Sequence, residues 1–255
     1  MPEDPLHGWT DWGSPFQSLR LLEKLDAGLT NQNYLIEADG RKCVLRINAP
    51  YSLALGIDRS REKLILEKAS ASGLAPDILF CSPEHGVLIT YFIDGQHWHA
   101  SDLDDADKLS LLTTAINQIH NLNVETKKFD YQKHEQNYWQ QLQDKAVSIP
   151  DELYRQRDSV LGFIEKIPVT ATICHHDLNP GNIIIQSDKI YFLDWEYAAP
   201  AWPAFDFAAL SVEWAIPVEQ LPLPAHISVD DVLQATEFYI YLCNLWSALQ
   251  KENNS

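Results

Sequence analysis

The first part of the chain contains short stretches in which apolar and polar residues alternate, the pattern that half-buried β-strands produce. Residues 18–25 alternate weakly, and residues 33–37 and 42–47 are more clearly strand-like. Asp39-Gly40 lies between these two runs and is a strong signal for a two-residue hairpin. A further strand pair is predicted over residues 78–81 and 87–92. Together the segments predict a small antiparallel sheet.

One helix is predicted within this region, from Arg59 to about Ser70, because Asp58 can cap its first turn and Gly73 follows its end. Beyond residue 95 the spacing of apolar residues becomes helical. The helices predicted there cover residues 102–121, 135–149, 151–166 and 229–250, the last capped by Ser228 with Asp231. A strand pair over residues 182–186 and 189–193, turning at Ser187-Asp188, interrupts them.

This order of elements predicts an α+β fold with two lobes. The smaller lobe, residues 1–93, is an antiparallel sheet with one helix, and the larger lobe, residues 94–255, is mainly helical. A hinge is expected near residues 91–95, with a cleft between the lobes. An aromatic segment near the N-terminus, with Trp9, Trp12 and Phe16, has no role in this scheme.

The charge balance narrows the possible partners. Asp and Glu number 36 against 19 Lys and Arg, a formal net charge of −17. Because 45% of the residues are hydrophobic and 22% are charged, the composition is still that of an ordinary folded protein. Such an excess of acid disfavours a nucleic-acid partner, which would require many Lys and Arg at phosphates.

Signals for export, membranes or structural metals are weak. The first five residues, MPEDP, are acidic and broken by proline, unlike a secretory or transit signal. No apolar run approaches the roughly 20 residues that a membrane-spanning helix needs. The four cysteines form no CxxC pair: Cys43, Cys81, Cys174 and Cys243. We therefore expect a cytoplasmic protein without a membrane partner.

The candidate chemistry is concentrated in the stretch CHHDLNPGN, which starts at Cys174, and in FLDWE, which ends at Glu196. Phosphoryl transfer needs a carboxylate near the attacking hydroxyl and oxygen ligands for Mg²⁺. Asp177 can accept or orient the hydroxyl proton, and Asn182 and Asp194 can hold the metal. The hairpin between the two loops can bring these residues together.

Each residue also has an ordinary structural interpretation. An isolated Asp before a loop usually caps a turn, and His175 alone is more often a hydrogen-bonded core histidine than a catalyst. Arg46 and Glu62, taken alone, are more often solvated surface charges than an ion pair. The combined residue types and spacings favour chemistry over these interpretations.

Several stretches together resemble the aminoglycoside phosphotransferase and choline kinase superfamily, which is related to the protein kinases. The closest similarity is to bacterial choline/ethanolamine or thiamine kinase-like proteins. The matching stretches are residues 28–34 (GLTNQNY), 44–47 (VLRI), 58–62 (DRSRE), 73–76 (GLAP), 92–95 (FIDG), 175–182, 193–197 and 205–214 (FDFAALSVEW). The resemblance covers roughly residues 20–250, and the block from 175 to 196 is its most specific part.

The resemblance implies a protein-kinase-like fold, ATP and Mg²⁺ as cofactors, and a role for each matching residue. Asp177 and His175 are implied to be catalytic, and Asn182 and Asp194 to bind the metal. Nucleotide binding is implied for Gly28, Asn31, Arg46 and Glu62, with Glu62 orienting Arg46 through an ion pair.

The acceptor is expected to be a small cationic alcohol such as choline or ethanolamine, because aromatic faces and carboxylates can hold an ammonium group. The candidate substrate residues are Glu196, Glu213, Trp214 and Trp246, although aromatics at helical spacing are more often core. Three alternatives stay open at this point. They are a thiamine kinase, an aminoglycoside phosphotransferase and a catalytically inert kinase-fold binding protein.

Overall fold

A computed structural model describes residues 4–25, 31–50, 52, 55–168, 170 and 172–253. The smaller lobe is an antiparallel sheet with strand order β1-β2-β3-β5-β4. Its strands are β1 (Leu19–Leu25), β2 (Gln32–Ala38), β3 (Arg41–Ile47), β4 (Ile78–Ser82) and β5 (Val87–Tyr91). Asp39 and Gly40 both have positive φ, 46° and 80°, as the predicted hairpin turn requires.

Helix α1 (Arg59–Ala71) follows the predicted bounds closely. The Asp58 carboxylate accepts hydrogen bonds from the backbone N–H groups of Ser60 and Arg61, both at 3.1 Å, and so caps the first turn. Glu62 on this helix is buried although it is charged. A buried carboxylate needs a partner, so its position already indicates a polar site beside the helix.

The aromatic N-terminal segment covers one face of the sheet. Trp9, Trp12 and Phe16 pack against a buried cluster that includes Ile36 and Leu45. Since successive side chains of a strand point to opposite faces, this face is the one opposite Arg46. Asp39 holds the segment in place by accepting the backbone N–H groups of residues 17 and 18, at 3.0 and 2.8 Å.

The larger lobe packs its helices around a core that continues up to α1. Its helices are α2 (Ala106–His120), α3 (Tyr131–Asp144), α4 (Asp151–Ile164), α5 (Ala204–Glu213) and α6 (Val229–Asn253). Its strands are β6 (Thr172–Cys174), β7 (Ile183–Gln186), β8 (Lys189–Phe192) and β9 (Ala199–Ala201), paired as β6-β9 and β7-β8. Within the described ranges, no helix combines the length and apolar character needed to cross a membrane.

Helices α2 and α3 begin at other residues than the sequence pattern predicts. Helix α2 begins at Ala106 because Asp105 caps it, whereas Asp102 caps a preceding turn of 3-10 helix by accepting the backbone N–H of His99 at 2.8 Å. Helix α3 begins at Tyr131, four residues before the predicted start, because the carboxylate of Asp130 accepts the N–H of residue 133.

The segment that joins the lobes is attached to the hairpin of the larger lobe. Gln96 and Ile185 exchange two backbone hydrogen bonds of 2.8 Å, and the Gln186 side chain donates to the carbonyl of Asp94 at 2.9 Å. Gly95 lies between these contacts with no room for a side chain. A Cβ at this position would lie 2.4 Å from the Ile184 side chain and 2.7 Å from the Ile185 carbonyl oxygen.

We expect Gly95→Ala to lower the free energy of unfolding by about 1–3 kcal/mol, because the backbone must move to accept the methyl group. The matched control is Gly162→Ala in α4, where a Cβ meets nothing within 4 Å. That change should stabilise the protein by about 0.5–1 kcal/mol. Urea unfolding of both variants checks the prediction, and equal stabilities would contradict it.

Candidate active site

Asp177 lies in the loop after β6, with its side chain held from two sides. Its Oδ1 accepts a hydrogen bond from Asn179 Nδ2 and its Oδ2 accepts one from Asn182 Nδ2, both at 2.7 Å. Burial raises the pKa of Asp177 to about 6, the two amide hydrogen bonds oppose this shift, and the negative charges of Glu196 and Glu213 add to it. The carboxylate is therefore fixed in direction and more basic than usual, which suits a proton acceptor.

Asp206 on α5 holds the backbone of this loop. Its carboxylate is fully buried and accepts the N–H groups of His175 at 2.9 Å and His176 at 2.8 Å, and it also bonds His120 Nε2 at 2.9 Å. His176 has a φ of 69°, a conformation that needs such support. Burial opposes ionisation of Asp206, but the hydrogen bond and charge of His120 keep its pKa below the usual value.

His175 supports the loop and lies away from the cavity. Its ring is fully buried, Nδ1 accepts the N–H of Asp177 at 3.3 Å, and Nε2 donates to the carbonyl of Leu193 at 2.9 Å. Burial lowers its pKa to about 4, so the ring is neutral at neutral pH. The structure places His175, predicted to be catalytic, where it joins the loop of Asp177 to the loop of Asp194.

Arg46 on β3 and Glu62 on α1 form the predicted ion pair, with 2.6 Å between Arg46 Nη2 and Glu62 Oε1. Their side chains are 10% and 4% exposed, which excludes the interpretation as solvated surface charges. Burial opposes both charges, yet the pair raises the pKa of Arg46 and lowers that of Glu62. The other end of the guanidinium reaches Asp194 Oδ1 at 3.2 Å.

Asp194 and Asn182 offer oxygen atoms to one side of the cleft. Burial, with the nearby charge of Glu196, raises the pKa of Asp194 well above its usual value, although Arg46 opposes the shift. Because Asn182 Nδ2 is already donated to Asp177, its amide oxygen is the atom left for a ligand. Hard oxygen donors beside more carboxylates than cations fit a divalent cation such as Mg²⁺.

Glu196 is engaged within the protein. Its Oε2 lies 3.0 Å from Arg59 Nη1 and accepts a hydrogen bond from Asn31 Nδ2 at 2.7 Å, and the residue is 2% exposed. Glu196, predicted to contact the substrate, therefore lines the cavity with its charge already paired to Arg59. Asn31 is buried at this contact, and Gly28 lies outside the described residues.

The three remaining substrate candidates occupy different places. Trp214 is 1% exposed and donates its Nε1 to the carbonyl of Leu178 at 2.8 Å, so the structure places it in the core beside the loop of Asp177. Glu213 is half-buried and accepts the hydroxyl of Tyr239 at 2.8 Å. Trp246 on α6 lines the cavity, as a substrate contact requires.

A cavity of about 940 Å³ brings these groups together between the lobes. At one end it is lined by side chains of β3, β5 and the linker, among them Val44, Leu88 and Phe92. At the other end, which we call the aromatic end, it is lined by side chains of the larger lobe, among them Tyr138, Tyr197, Tyr239 and Trp246. Asp177, Asn182 and Asp194 also line this cavity. Side chains of both lobes therefore line one cavity, and Asp177 is among them.

Residues 22–254 match the model of the choline/ethanolamine kinase family. The chain belongs to the choline/ethanolamine kinase family. This membership confirms the predicted superfamily. The protein LicA of Haemophilus influenzae is 28% identical over 217 residues, which cover 83% of this chain and 62% of that protein. A LicA homolog of Mycoplasma capricolum is 32% identical over 42% of this chain and 44% of its own length.

Solved structures show the same fold, which confirms the predicted kinase-like architecture. The choline kinase LicA of Streptococcus pneumoniae superposes with a TM-score of 0.76 at 19% identity, over 98% of this chain and 90% of that chain. The aminoglycoside phosphotransferase APH(4)-Ia has a TM-score of 0.66 at 14% identity, over 94% and 90% of the two chains. The fold is thus common to choline/ethanolamine kinases and aminoglycoside phosphotransferases.

Several site residues were missed from the sequence. Asn179 carried a signal, since Asn before Pro-Gly commonly closes a turn with its side chain, and its Oδ1 indeed accepts the N–H of Gly181 at 2.9 Å. Asp206 lay within a matching stretch of the choline kinase resemblance but had no role assigned. Arg59 and Tyr138 gave no local signal, because their partners lie far away in the sequence.

Proposed function

We propose that this protein transfers the γ-phosphoryl group of ATP to the hydroxyl of a small cationic alcohol, with choline as the first candidate. The observation that carries the proposal is that Asp177, held by Asn179 and Asn182, lines one cavity together with Arg46 and with aromatic side chains of the larger lobe. Family membership supports the reaction class. The solved LicA structures, one described as a choline kinase and one as a complex with AMP, support the two substrates.

In this reaction Asp177 orients the acceptor hydroxyl and accepts its proton, while Asn179 and Asn182 keep the carboxylate in place. Arg46 binds phosphate oxygens with its guanidinium, which Glu62 holds in direction. Asn182 and Asp194 would hold Mg²⁺, which when bound neutralises charge on the phosphates. The apolar side chains at the other cavity walls exclude water from the transferred group.

The aromatic end suits an ammonium group whose nitrogen carries methyl groups. Four aromatic faces can surround such a cation without hydrogen bonds: Tyr138, Tyr197, Tyr239 and Trp246. An unmethylated ammonium also needs acceptors for its N–H groups, but Glu196 is paired and one oxygen of Glu213 already accepts the hydroxyl of Tyr239, which leaves fewer carboxylate acceptors for it. The net charge of −17 attracts any cationic acceptor. We therefore expect choline to be preferred over ethanolamine.

A coupled assay of ADP release tests the proposal with choline, ethanolamine, thiamine and an aminoglycoside as separate acceptors. We expect the highest kcat/KM with choline. If turnover is highest with thiamine or an aminoglycoside, that compound replaces choline as the proposed acceptor, while the proposed kinase activity is retained. ATP binding with no ADP release above the acceptor-free blank for any compound would favour an inert binding protein and overturn the proposed function.

The raised pKa of Asp177 predicts the pH dependence of the reaction. Only the unprotonated carboxylate accepts a proton, so activity is present above the pKa and is lost as pH falls through about 6. Below that pH, kcat/KM should fall about tenfold per pH unit, since it reports the free enzyme. An initial-rate profile at constant free Mg²⁺ measures this. A carboxyl with the usual pKa of 3.8 would instead give a flat profile down to about pH 5.

A further inference from the structure

Arg59, the first residue of α1, joins three separate segments of the chain. Its Nη1 donates to Glu62 Oε2 at 2.8 Å and lies 3.0 Å from Glu196 Oε2. Its Nη2 donates to Asn31 Oδ1 and to Ser52 Oγ, both at 2.9 Å. The side chain is 11% exposed, so these contacts are made in a largely water-free environment, where they are stronger than at the surface.

The side chains of Arg59, Asn31 and Glu196 each contact the other two and form a closed triangle. Arg59 contacts both Asn31 and Glu196, and Asn31 Nδ2 donates to Glu196 Oε2 at 2.7 Å. Asn31 immediately precedes β2 in the smaller lobe, and Glu196 follows Asp194 by two residues in the larger lobe. The triangle therefore connects the start of strand β2 to the loop that carries Asp194, a proposed metal ligand.

The second bridge between the same regions is less permanent. Arg46 contacts Asp194 at 3.2 Å, but in the proposed reaction Arg46 turns to phosphate and Asp194 to the cation. The contact between Arg59 and Glu196 uses neither of these groups and can persist throughout. Only a planar guanidinium donates in several fixed directions at once, so a lysine cannot reproduce the arrangement.

We propose that Arg59 is a positioning residue that holds the Asp194 loop through Glu196 and couples cation binding to nucleotide binding beside Asn31. The proposal rests on the proposed kinase function and adds a residue to it. It predicts that Arg59 changes the benefit that Mg²⁺ gives to nucleotide binding. It also predicts that nucleotide binding without the metal stays nearly the same.

Isothermal titration calorimetry with ADP, once with excess Mg²⁺ and once with EDTA, tests this prediction. The dissociation constant with EDTA divided by the dissociation constant with Mg²⁺ measures how much the metal strengthens nucleotide binding. Supporting residues of metal sites typically contribute 10–100-fold, so Arg59→Lys and Arg59→Gln should each lower the ratio by about that factor. The KM for the acceptor should stay unchanged while the Mg²⁺ concentration required for half-maximal activity rises.

The matched control is Arg20→Gln, which removes an arginine–glutamate pair from the exposed surface of β1 and β2, where Arg20 and Glu37 are 3.1 Å apart. Its ratio should equal that of the wild type. If Arg59→Gln does not fold, Asn31→Ala opens the triangle from its other side and should lower the ratio too. Circular dichroism and melting temperature establish that each variant is folded.

Folded Arg59 variants with the wild-type ratio would overturn the positioning role, even if their melting temperatures fell, because a purely structural role moves only stability. Arg59→Lys with the wild-type ratio would likewise overturn it, since charge alone would then suffice. Failure of the proposed function gives a different result, because the wild-type protein itself would then release no ADP above the acceptor-free blank, whatever ratio the Arg59 variants show.

Discussion

Asp177→Asn should lower kcat by about 10³-fold, because the amide cannot accept the proton of the acceptor hydroxyl. The side chain keeps its size, but its new N–H₂ group faces either Asn179 Nδ2 or Asn182 Nδ2, both of which are donors. One of those hydrogen bonds is therefore lost, but the cost of burying the charge is removed as well, so we expect the large loss of activity without a large change in stability. Steady-state kinetics with choline at saturating MgATP measures the effect.

Binding measurements separate this effect from a loss of substrate. The dissociation constant of MgADP should stay within about twofold of the wild-type value, because Asp177 is not assigned to the nucleotide. Asp188→Asn in the exposed turn between β7 and β8 is the matched control, since it makes the same chemical change outside the cavity. Activity of Asp177→Asn close to that of this control would show that Asp177 is not the proton acceptor.

Asp206→Ala should have the largest effect on stability. The change leaves the backbone N–H groups of His175 and His176 buried without acceptors and removes the partner of His120. Removing one member of such a buried charged network typically costs about 3–5 kcal/mol. We expect a loss of this size in the free energy of unfolding by urea, together with loss of activity in whatever fraction remains folded.

Two further variants sharpen the test. Asp206→Asn keeps one acceptor oxygen and should fall between the wild type and the alanine variant. Asp158→Ala removes an exposed carboxylate on α4 and should change stability by less than about 0.5 kcal/mol. If Asp206→Ala lowers the free energy of unfolding by less than about 1 kcal/mol, the loop of His175 and His176 keeps its conformation without the Asp206 carboxylate.

Features fixed by neighbouring residues were predictable from the sequence. The turn at Asp39-Gly40 requires positive φ, Asp58 caps α1, and Ser228 with Asp231 caps α6 through hydrogen bonds of 2.6 and 3.0 Å. The turn at Ser187-Asp188 also has positive φ at both residues. In each case the residues that decide the conformation lie within a few positions of one another, where sequence patterns are informative.

Helix α5 was not predicted because it is apolar nearly all around and buried, so it lacks the one-sided pattern of a surface helix. The short strands β6 and β9 pair across a long stretch of sequence, which leaves no local pattern.

The candidate catalytic and metal-binding residues Asp177, Asn182 and Asp194 could be named from the sequence because their spacing is distinctive, whereas the partners of Glu196, His175 and Trp214 could not. Glu196 pairs with Arg59 and Asn31, at sequence separations of more than a hundred residues. Trp214 reaches a carbonyl 36 residues away. A sequence motif shows which side chains are present, but only the fold determines which of them are already engaged.

The two backbone hydrogen bonds between Gln96 and Ile185 attach the end of the linker rigidly to the larger lobe. The linker residues that precede these hydrogen bonds, Phe92 and Ile93, have side chains that line the cavity. In the proposed function, a nucleotide bound against the linker would therefore contact the residues that join the two lobes. We expect such a nucleotide to restrict the backbone torsion angles of these residues, which would couple occupancy of the cavity to any rotation of one lobe against the other.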